Sequence, residues 1–161
     1  MTEQSHAVTL SHPPEPVLRV INPILRTLLR TPLLGGAGKE FMVVNVTGRK
    51  SGKRYSIPLS AHWIDGDLYA ISSAGWKWNF RDGARAEILH DRQTRTMRGE
   101  LIQDPATVAQ LCHKTAQANG VKRAQRMLGM TFREQRIPTV EEFAEAARRE
   151  RIAAIRFTPQ R

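Results

Sequence analysis

Residues 41–73 read FMVVNVTGRKSGKRYSIPLSAHWIDGDLYAISS, and this stretch decides the fold class. Phe41–Thr47 is rich in apolar and β-branched residues, which favour a strand, and Tyr55–Ile64 and Leu68–Ser73 continue the same pattern. Asp65-Gly66 lies between two apolar runs, which is typical of a two-residue hairpin turn. We therefore predict three consecutive strands joined by short turns.

The pattern extends through the rest of the chain. Ala84–His90 and Arg95–Gln103 predict a further hairpin, and Ile152–Phe157 predicts a last strand. Between them, Asp104-Pro105 is typical of a helix start, and Thr139 with Glu142 three residues later matches a capping box. Five to six strands with short connections and flanking helices predict an α+β domain built on a small, mostly antiparallel barrel.

The first part of the chain has a different character. Residues 1–16 contain three prolines and little to bury, so we expect a flexible arm, followed by a single domain over residues 17–161. Within 17–34 we expect a short amphipathic helix that begins near Asn22-Pro23 and carries its three arginines on one face. This helix either caps the barrel or makes weak, salt-sensitive contact with an anionic membrane surface.

Composition narrows the classes of function. Twenty-five Lys and Arg against fifteen Asp and Glu give a net charge of +10, which favours an anionic partner. Aromatic residues make up only 6% of the chain, and no recognition helix or stacking motif is evident, so nucleic acid is not the partner we expect. The single cysteine and the lack of a leader-like or membrane-spanning apolar run predict a cytoplasmic protein, with the inner membrane surface as a peripheral location.

The segment Gly48-Arg49-Lys50-Ser51-Gly52-Lys53-Arg54 carries the strongest chemical signal. It places four cations and a hydroxyl in one turn, where glycines let successive backbone N–H groups face one anion. The spacing does not match a P-loop, which needs four residues between its glycines and then Lys-Ser or Lys-Thr. The residues alone leave two alternatives, a phosphate-binding turn or a solvated hairpin tip.

A second signal is Ser72-Ser73-Ala74-Gly75-Trp76-Lys77-Trp78-Asn79. Small residues after a strand allow a flat ligand to approach the backbone, and the two tryptophans either wall such a ligand or anchor a short helix in the core. The composition favours the core role. The histidines lack metal-ligand spacing and no nucleophile motif occurs, so we identify neither a catalytic residue nor a metal site, and an enzyme of this sequence would rely on a cofactor.

Several of these motifs together resemble the deazaflavin-dependent nitroreductase family. They are Val46-Thr47-Gly48-Arg49-Lys50-Ser51-Gly52, Pro58-Leu59, Asp65-Gly66-Asp67 and Trp76-x-x-Asn79-Phe80, and the resemblance extends over about residues 17–161. It implies a split β-barrel and binding of coenzyme F-420, whose tail carries phosphate and several carboxylates. It also implies transfer of hydride from the reduced coenzyme to a quinone, a nitroaromatic compound or another electron-poor small molecule.

The resemblance also implies which residues contact the coenzyme. The phosphate-binding turn corresponds to Arg49, Lys50, Ser51 and Gly52, with Arg54 beside it. The strand beside the ring corresponds to Pro58 and Leu59, the loop under the ring to Ser72, Ser73, Ala74 and Gly75, and the short helix to Trp76 and Asn79. FMN, which carries one phosphate, is expected to fit the basic turn less well than F-420.

The chain departs from the family in ways that leave a second function open. The loop between Gly75 and Trp76 is shorter than in typical members, and of the tyrosines that shape the substrate pocket of nitro-reducing members only Tyr55 and Tyr69 are available. The alternative is a non-catalytic binder of a flavin-like or hydrophobic ligand on the same fold. For either function, we expect a monomer or a homodimer.

Overall fold

The computed structural model describes residues 6–11 and 39–159. Its strands are β1 (Val8–Leu10), β2 (Phe41–Thr47), β3 (Arg54–Ser60), β4 (His62–Ile64), β5 (Asp67–Ser72), β6 (Ala84–His90), β7 (Gln93–Ile102), β8 (Met130–Phe132) and β9 (Ala153–Pro159). Its helices are the 3₁₀ helix Gly75–Phe80, α1 (Pro105–Asn119), α2 (Val121–Leu128) and α3 (Val140–Glu150).

The described residues form two compact units. One, called the sheet unit here, comprises residues 39–70, Gly75–Leu101 and 155–159. The other, called the helix unit, comprises residues 6–11, Ile71–Ala74 and Ile102–Ala154. The domain prediction, an arm over 1–16 and one domain over 17–161, stays a prediction.

The predicted fold class is confirmed: the chain is α+β, with a mostly antiparallel sheet consistent with a split barrel. The strand order is β3-β2-β6-β7-β9-β5-β4, and β2 pairs antiparallel with both β3 and β6. The sheet therefore has seven strands rather than five or six, because the predicted strand Tyr55–Ile64 is two strands. Ala61 separates them, and its amide donates to the carbonyl of Glu40 at 2.8 Å, beyond the end of β2.

Two tight turns set the register of the hairpins. Asp65 and Gly66 join β4 to β5 with φ of 51° and 89°, and Asp91 and Arg92 join β6 to β7 with φ of 49° and 65°. Two-residue loops with positive φ at both positions match the right-handed twist of the strands that they connect. The sequence predicted the first turn correctly and placed the second one across Asp91–Thr94.

Two phenylalanine rings pack against each other in the core of the sheet unit. Phe80 at the end of the 3₁₀ helix meets Phe157 of β9 edge to face, with ring centroids 5.6 Å apart. Both rings approach the backbone of Gly99, where an added Cβ would lie 2.5 Å from Phe80 and 2.9 Å from Phe157. Glycine is required at this position of β7 because any side chain would displace the two phenylalanines.

Capping interactions hold the helix unit in the way that the sequence predicted. The Asp104 carboxylate accepts from the Thr107 amide at 3.2 Å at the start of α1. At the start of α3, the Thr139 hydroxyl accepts from the Glu142 amide at 3.1 Å, and the Glu142 carboxylate accepts from the Thr139 amide at 2.9 Å. These bonds satisfy amides that the first turn of a helix leaves without partners.

The structure also contains elements that the sequence did not indicate. Val8–Leu10, inside the predicted arm, pairs antiparallel with Met130–Phe132, and Val8 is buried. Such a strand of three residues has too little periodicity to be recognised without its partner. Residues 1–5 and 12–38, which include the predicted amphipathic helix and the membrane-contact segment 17–34, lie outside the described residues. Within the described ranges, no helix is both long and apolar enough to cross a bilayer.

Candidate functional site

The basic turn between β2 and β3 is closed by its own hydrogen bonds. The Gly48 amide donates to the Lys53 carbonyl at 2.7 Å, and the Gly52 amide donates back to the Gly48 carbonyl at 3.1 Å. The Lys53 amide donates to the Ser51 hydroxyl at 3.2 Å, and Gly52 adopts φ of 70°. The turn therefore has a defined shape, and three of its amides already have acceptors within it.

Arg49 connects this turn to the 3₁₀ helix. Its amide donates to Asn79 Oδ1 at 2.9 Å, while its guanidinium donates to the Trp78 carbonyl at 3.3 Å and to Asp82 Oδ2 at 3.1 Å. Asn79 in turn donates through Nδ2 to the Trp76 carbonyl at 2.9 Å. These bonds bring together Arg49, Trp76 and Asn79, three of the residues that the family resemblance assigns to the coenzyme site.

The cations of the turn differ in their ion pairing. Arg49 pairs with Asp82, and Arg54 Nη2 lies 3.7 Å from Glu87 Oε2. Lys50 and Lys53 are exposed, and the described part of the chain places no carboxylate in an ion pair with either of them. The positive charge that remains available to a ligand at this turn is therefore that of the two lysines.

The two tryptophans of the 3₁₀ helix have different surroundings. Trp76 is half-buried and packs edge to face on Phe80, with ring centroids 6.1 Å apart, which is the core role that composition favoured. Trp78 is 42% exposed, and the Lys77 ammonium lies 5.1 Å from its ring centroid. Of these two tryptophans, Trp78 therefore presents the exposed indole, and the role of a wall for a flat ligand, which the sequence left open for both, stays a prediction.

Pro58 and Leu59 lie further along β3. They pair with Val43 and Met42 of β2 and are half-buried. Proline is tolerated there because β3 is an edge strand, where one side of the backbone needs no amide donor. Pro58 lies four positions after Arg54, which corresponds to about 13 Å along an extended strand. Leu59 packs against the same core cluster as Trp76 of the 3₁₀ helix.

The loop Ser72–Ala74 belongs to the helix unit. The Ala74 amide donates to the Ser72 hydroxyl at 3.0 Å, which tightens the chain at the end of β5. Ser73 is half-buried and Ala74 is exposed. Gly75, also exposed, begins the 3₁₀ helix of the sheet unit. The predicted contact of this loop with a coenzyme ring stays a prediction.

Sequence reasoning missed the role of Asp82. Its carboxylate is the ionic partner of Arg49, although 33 residues separate the two in sequence. A lone acidic residue after a short helix gives no local sign of such a pairing, since only the tertiary fold places it beside the turn. A second missed group is Trp63 with His90, whose side chains share a hydrogen bond at the other end of β6.

Two strongly shifted groups lie in buried positions. Burial lowers the pKa of His62 to about 4, and burial raises the pKa of the Cys112 thiol to about 12. The thiol is therefore protonated at neutral pH and a poor nucleophile. Among the described residues, no group of three or more His, Cys, Asp or Glu side chains is arranged to hold a metal ion.

Comparison with known proteins gives structural similarity at low sequence identity. No protein-family model matches the chain, and no curated protein matches it. The structure is similar to that of the conserved hypothetical protein Rv2991 from Mycobacterium tuberculosis, with 11% identity and a TM-score of 0.46 over 100% of this chain and 87% of that one. It is also similar to a protein described as a domain-swapped dimer, with 14% identity and a TM-score of 0.44 over 89% of this chain and 99% of that one.

Proposed function

We propose that this protein is an oxidoreductase that transfers hydride from reduced coenzyme F-420 to a quinone, a nitroaromatic compound or another electron-poor acceptor. The proposal combines the resemblance of the basic turn to the deazaflavin-dependent nitroreductases with one observation. Arg49 holds that turn against the 3₁₀ helix, and Lys50 and Lys53 remain exposed and outside ion pairs among the described residues.

The anionic tail of the coenzyme is matched by the charges of the turn. Lys50 and Lys53 would bind the phosphate and carboxylates as point charges, while Arg49 would position the turn, because its guanidinium already binds Asp82 and a backbone carbonyl. Two exposed lysines in one turn, outside ion pairs among the described residues, suit a ligand with several negative charges better than one with a single phosphate. We therefore expect F-420 to bind more tightly than FMN.

The exposed indole of Trp78 would provide an apolar wall for the ring. The Lys77 ammonium lies 5.1 Å from the Trp78 ring centroid, and 42% of the residue is exposed to solvent. When bound, the reduced deazaflavin would supply the hydride. The protein would orient the ring against the indole and hold the tail at the lysines, and solvent would supply the proton.

One observation favours the alternative of a non-catalytic binder. The amides of Gly48, Arg49, Gly52 and Lys53 all donate to acceptors in the protein, so the turn offers a phosphate fewer backbone N–H donors than an open anion-binding loop would. A flavin-like or hydrophobic ligand without a polyanionic tail would not need those donors.

The experiment is a fluorescence titration of the full-length protein with F-420 and with FMN in the same buffer. We expect a lower dissociation constant for F-420 and weaker binding at high salt, since exposed ion pairs are screened. Lys50→Ala should weaken F-420 binding about tenfold, as expected for loss of one charge-assisted contact. Lys122→Ala, which removes an exposed lysine of α2, is the matched control and should leave binding unchanged.

Turnover then separates the two functions. Oxidation of reduced F-420 in the presence of a quinone or a nitroaromatic acceptor supports the reductase. Tight F-420 binding without turnover of any acceptor supports the non-catalytic binder. Equal affinities for F-420 and FMN, or no effect of Lys50→Ala, would overturn the coenzyme assignment.

A further inference from the structure

The sheet unit contains a cavity at the end of the barrel away from the basic turn. Its volume is about 280 Å³, just below the usual range of small-molecule sites. Leu68, Ile88 and Met97, from β5, β6 and β7, contribute apolar side chains to its lining. All three are at most 5% exposed, so the floor of the cavity is aliphatic and belongs to the hydrophobic core.

This cavity is separate from the proposed coenzyme site. β6 begins at Ala84, two residues after the Arg49 partner Asp82, and ends at His90 in the cavity lining. A seven-residue strand spans about 20 Å. A ligand in the cavity and a ligand on the basic turn would therefore occupy opposite ends of the same strand.

One wall is an indole held in place by a histidine. Trp63 is 52% exposed, yet its Nε1 donates to His90 Nε2 at 3.1 Å, and the two rings lie 6.0 Å apart. An indole nitrogen can only donate, so His90 Nε2 must accept, and its Nδ1 carries the proton that is donated to the Phe41 carbonyl at 2.9 Å. The bond uses the polar edge of the indole and leaves its face available to a flat ligand.

The alternation along β4 explains how the indole reaches this position. His62 and Ile64 are buried on one face of the strand, so Trp63 between them projects to the other face. A tryptophan is normally more buried than Trp63. Because the hydrogen bond to His90 already fixes the indole, a ring that stacks on it would remove apolar surface from water at little further cost in side-chain entropy.

The rim of the cavity has an excess of positive charge. Lys39 and Arg95 line it, against one acidic residue, Asp91. Arg95 donates to the neutral Gln93 side chain at 2.6 Å, so its charge is not compensated by that bond. An aliphatic floor, an aromatic wall and a cationic rim together are complementary to a flat apolar ring that carries one negative charge.

We propose that this cavity binds a small planar aromatic carboxylate, with the ring on Trp63 and the aliphatic floor and the carboxylate at Arg95 and Lys39. The volume limits the ligand to one or two fused rings. This proposal does not depend on the proposed function, because it uses none of the residues of the basic turn or of the 3₁₀ helix.

The test uses the full-length protein labelled with nitrogen-15 and titrated with 2-naphthoate. Its neutral amide, 2-naphthamide, and 2-naphthylmethylammonium have the same ring system with no charge and with a positive charge. The indole N–H signal of Trp63 is identified with Trp63→Phe and followed in each titration. The Trp78 signal is followed in the same spectra, so that a ligand at the coenzyme site is detected separately.

We expect 2-naphthoate to shift the Trp63 signal and to bind more tightly than the amide, with the cation weakest. Arg95→Gln and Lys39→Gln should each weaken naphthoate binding about five- to tenfold and leave amide binding unchanged within about twofold. Arg85→Gln, on β6 but outside the cavity lining, is the matched control and should change neither.

Three results would overturn the proposal. The first is that 2-naphthoate does not shift the Trp63 signal, and the second is that the amide or the cation binds as tightly as 2-naphthoate. The third is that Arg85→Gln weakens naphthoate binding as much as Arg95→Gln does. Unchanged thermal unfolding of the two rim variants would confirm that lost binding reflects lost charge and not lost structure.

Discussion

Asp82 and Arg49 form an ion pair, with Oδ2 and Nη2 3.1 Å apart, that joins the end of the 3₁₀ helix to the turn between β2 and β3. Their side chains are 78% and 48% exposed. An anionic ligand that used the guanidinium of Arg49 would have to compete with Asp82, whose carboxylate compensates part of the positive charge of the basic turn.

Asp82→Asn should therefore increase the affinity for F-420, by up to about fivefold, because the guanidinium of Arg49 becomes available to the anionic tail. The free energy of unfolding should change by less than about 1 kcal/mol, as is usual for exposed pairs. Fluorescence titration and urea unfolding measure the two quantities. Glu100→Gln, which neutralises an exposed acid on β7, is the control. Weaker F-420 binding by Asp82→Asn would contradict the prediction, and would indicate that the ion pair with Asp82 positions Arg49 for binding.

Asn79 should contribute more to stability than its partly exposed position suggests. Asn79→Ala removes its bonds to the Arg49 amide and to the Trp76 carbonyl, and Asn79→Asp removes only the second, because the carboxylate still accepts. We expect losses of about 2 and about 1 kcal/mol, at about 1 kcal/mol for each bond. Urea unfolding of both variants checks this order, and equal losses would contradict it.

Acid should destabilise the protein through His62. Its pKa is about 4 in the folded chain, below its ordinary value of 6.5, because burial penalises the charged form. The unfolded chain therefore binds the proton first, so stability is complete above pH 6.5 and is lost as the pH falls towards 4, by roughly 3 kcal/mol in all.

The matched variant for this pH dependence is His62→Leu. It has a similar volume and removes Nδ1, a buried atom for which the described structure provides no hydrogen-bond partner. Urea unfolding at several pH values between 6.5 and 4.5 should show a clearly smaller slope for the variant than for the natural chain. If the two slopes agree, His62 is not the group responsible.

The turn between β6 and β7 should become more stable when Arg92 is replaced by glycine. Arg92 has φ of 65°, a conformation that costs an L side chain about 1–2 kcal/mol, whereas glycine loses about 0.5–1 kcal/mol of backbone entropy. Arg92→Gly should therefore raise the free energy of unfolding by about 0.5–1 kcal/mol, measured by urea. Arg92→Ala, which keeps the strain, should produce no such gain.

The proposed coenzyme site shows which spatial relationships sequence patterns predict and which they do not. Arg49, Trp76 and Asn79 were singled out from their motifs, and the structure brings them into one hydrogen-bonded group. Pro58 and Leu59 came from the same resemblance and lie along β3, where Leu59 packs against the same core cluster as Trp76 but neither residue joins the hydrogen-bonded group. A motif specifies residue types at intervals, but the distance between two motifs depends on how the strands pair.

The sequence by itself determined the local structure: the strand Phe41–Thr47, the Asp65-Gly66 turn and the caps at Asp104 and Thr139 all follow from hydrogen bonds and backbone angles within a few residues. Only the tertiary structure decided which charges of the basic turn are compensated, since Asp82 reaches Arg49 from 33 residues away. It also decided that Trp63 lines a cavity with Lys39 and Arg95, because strand pairing, which local patterns do not specify, places these side chains around one space.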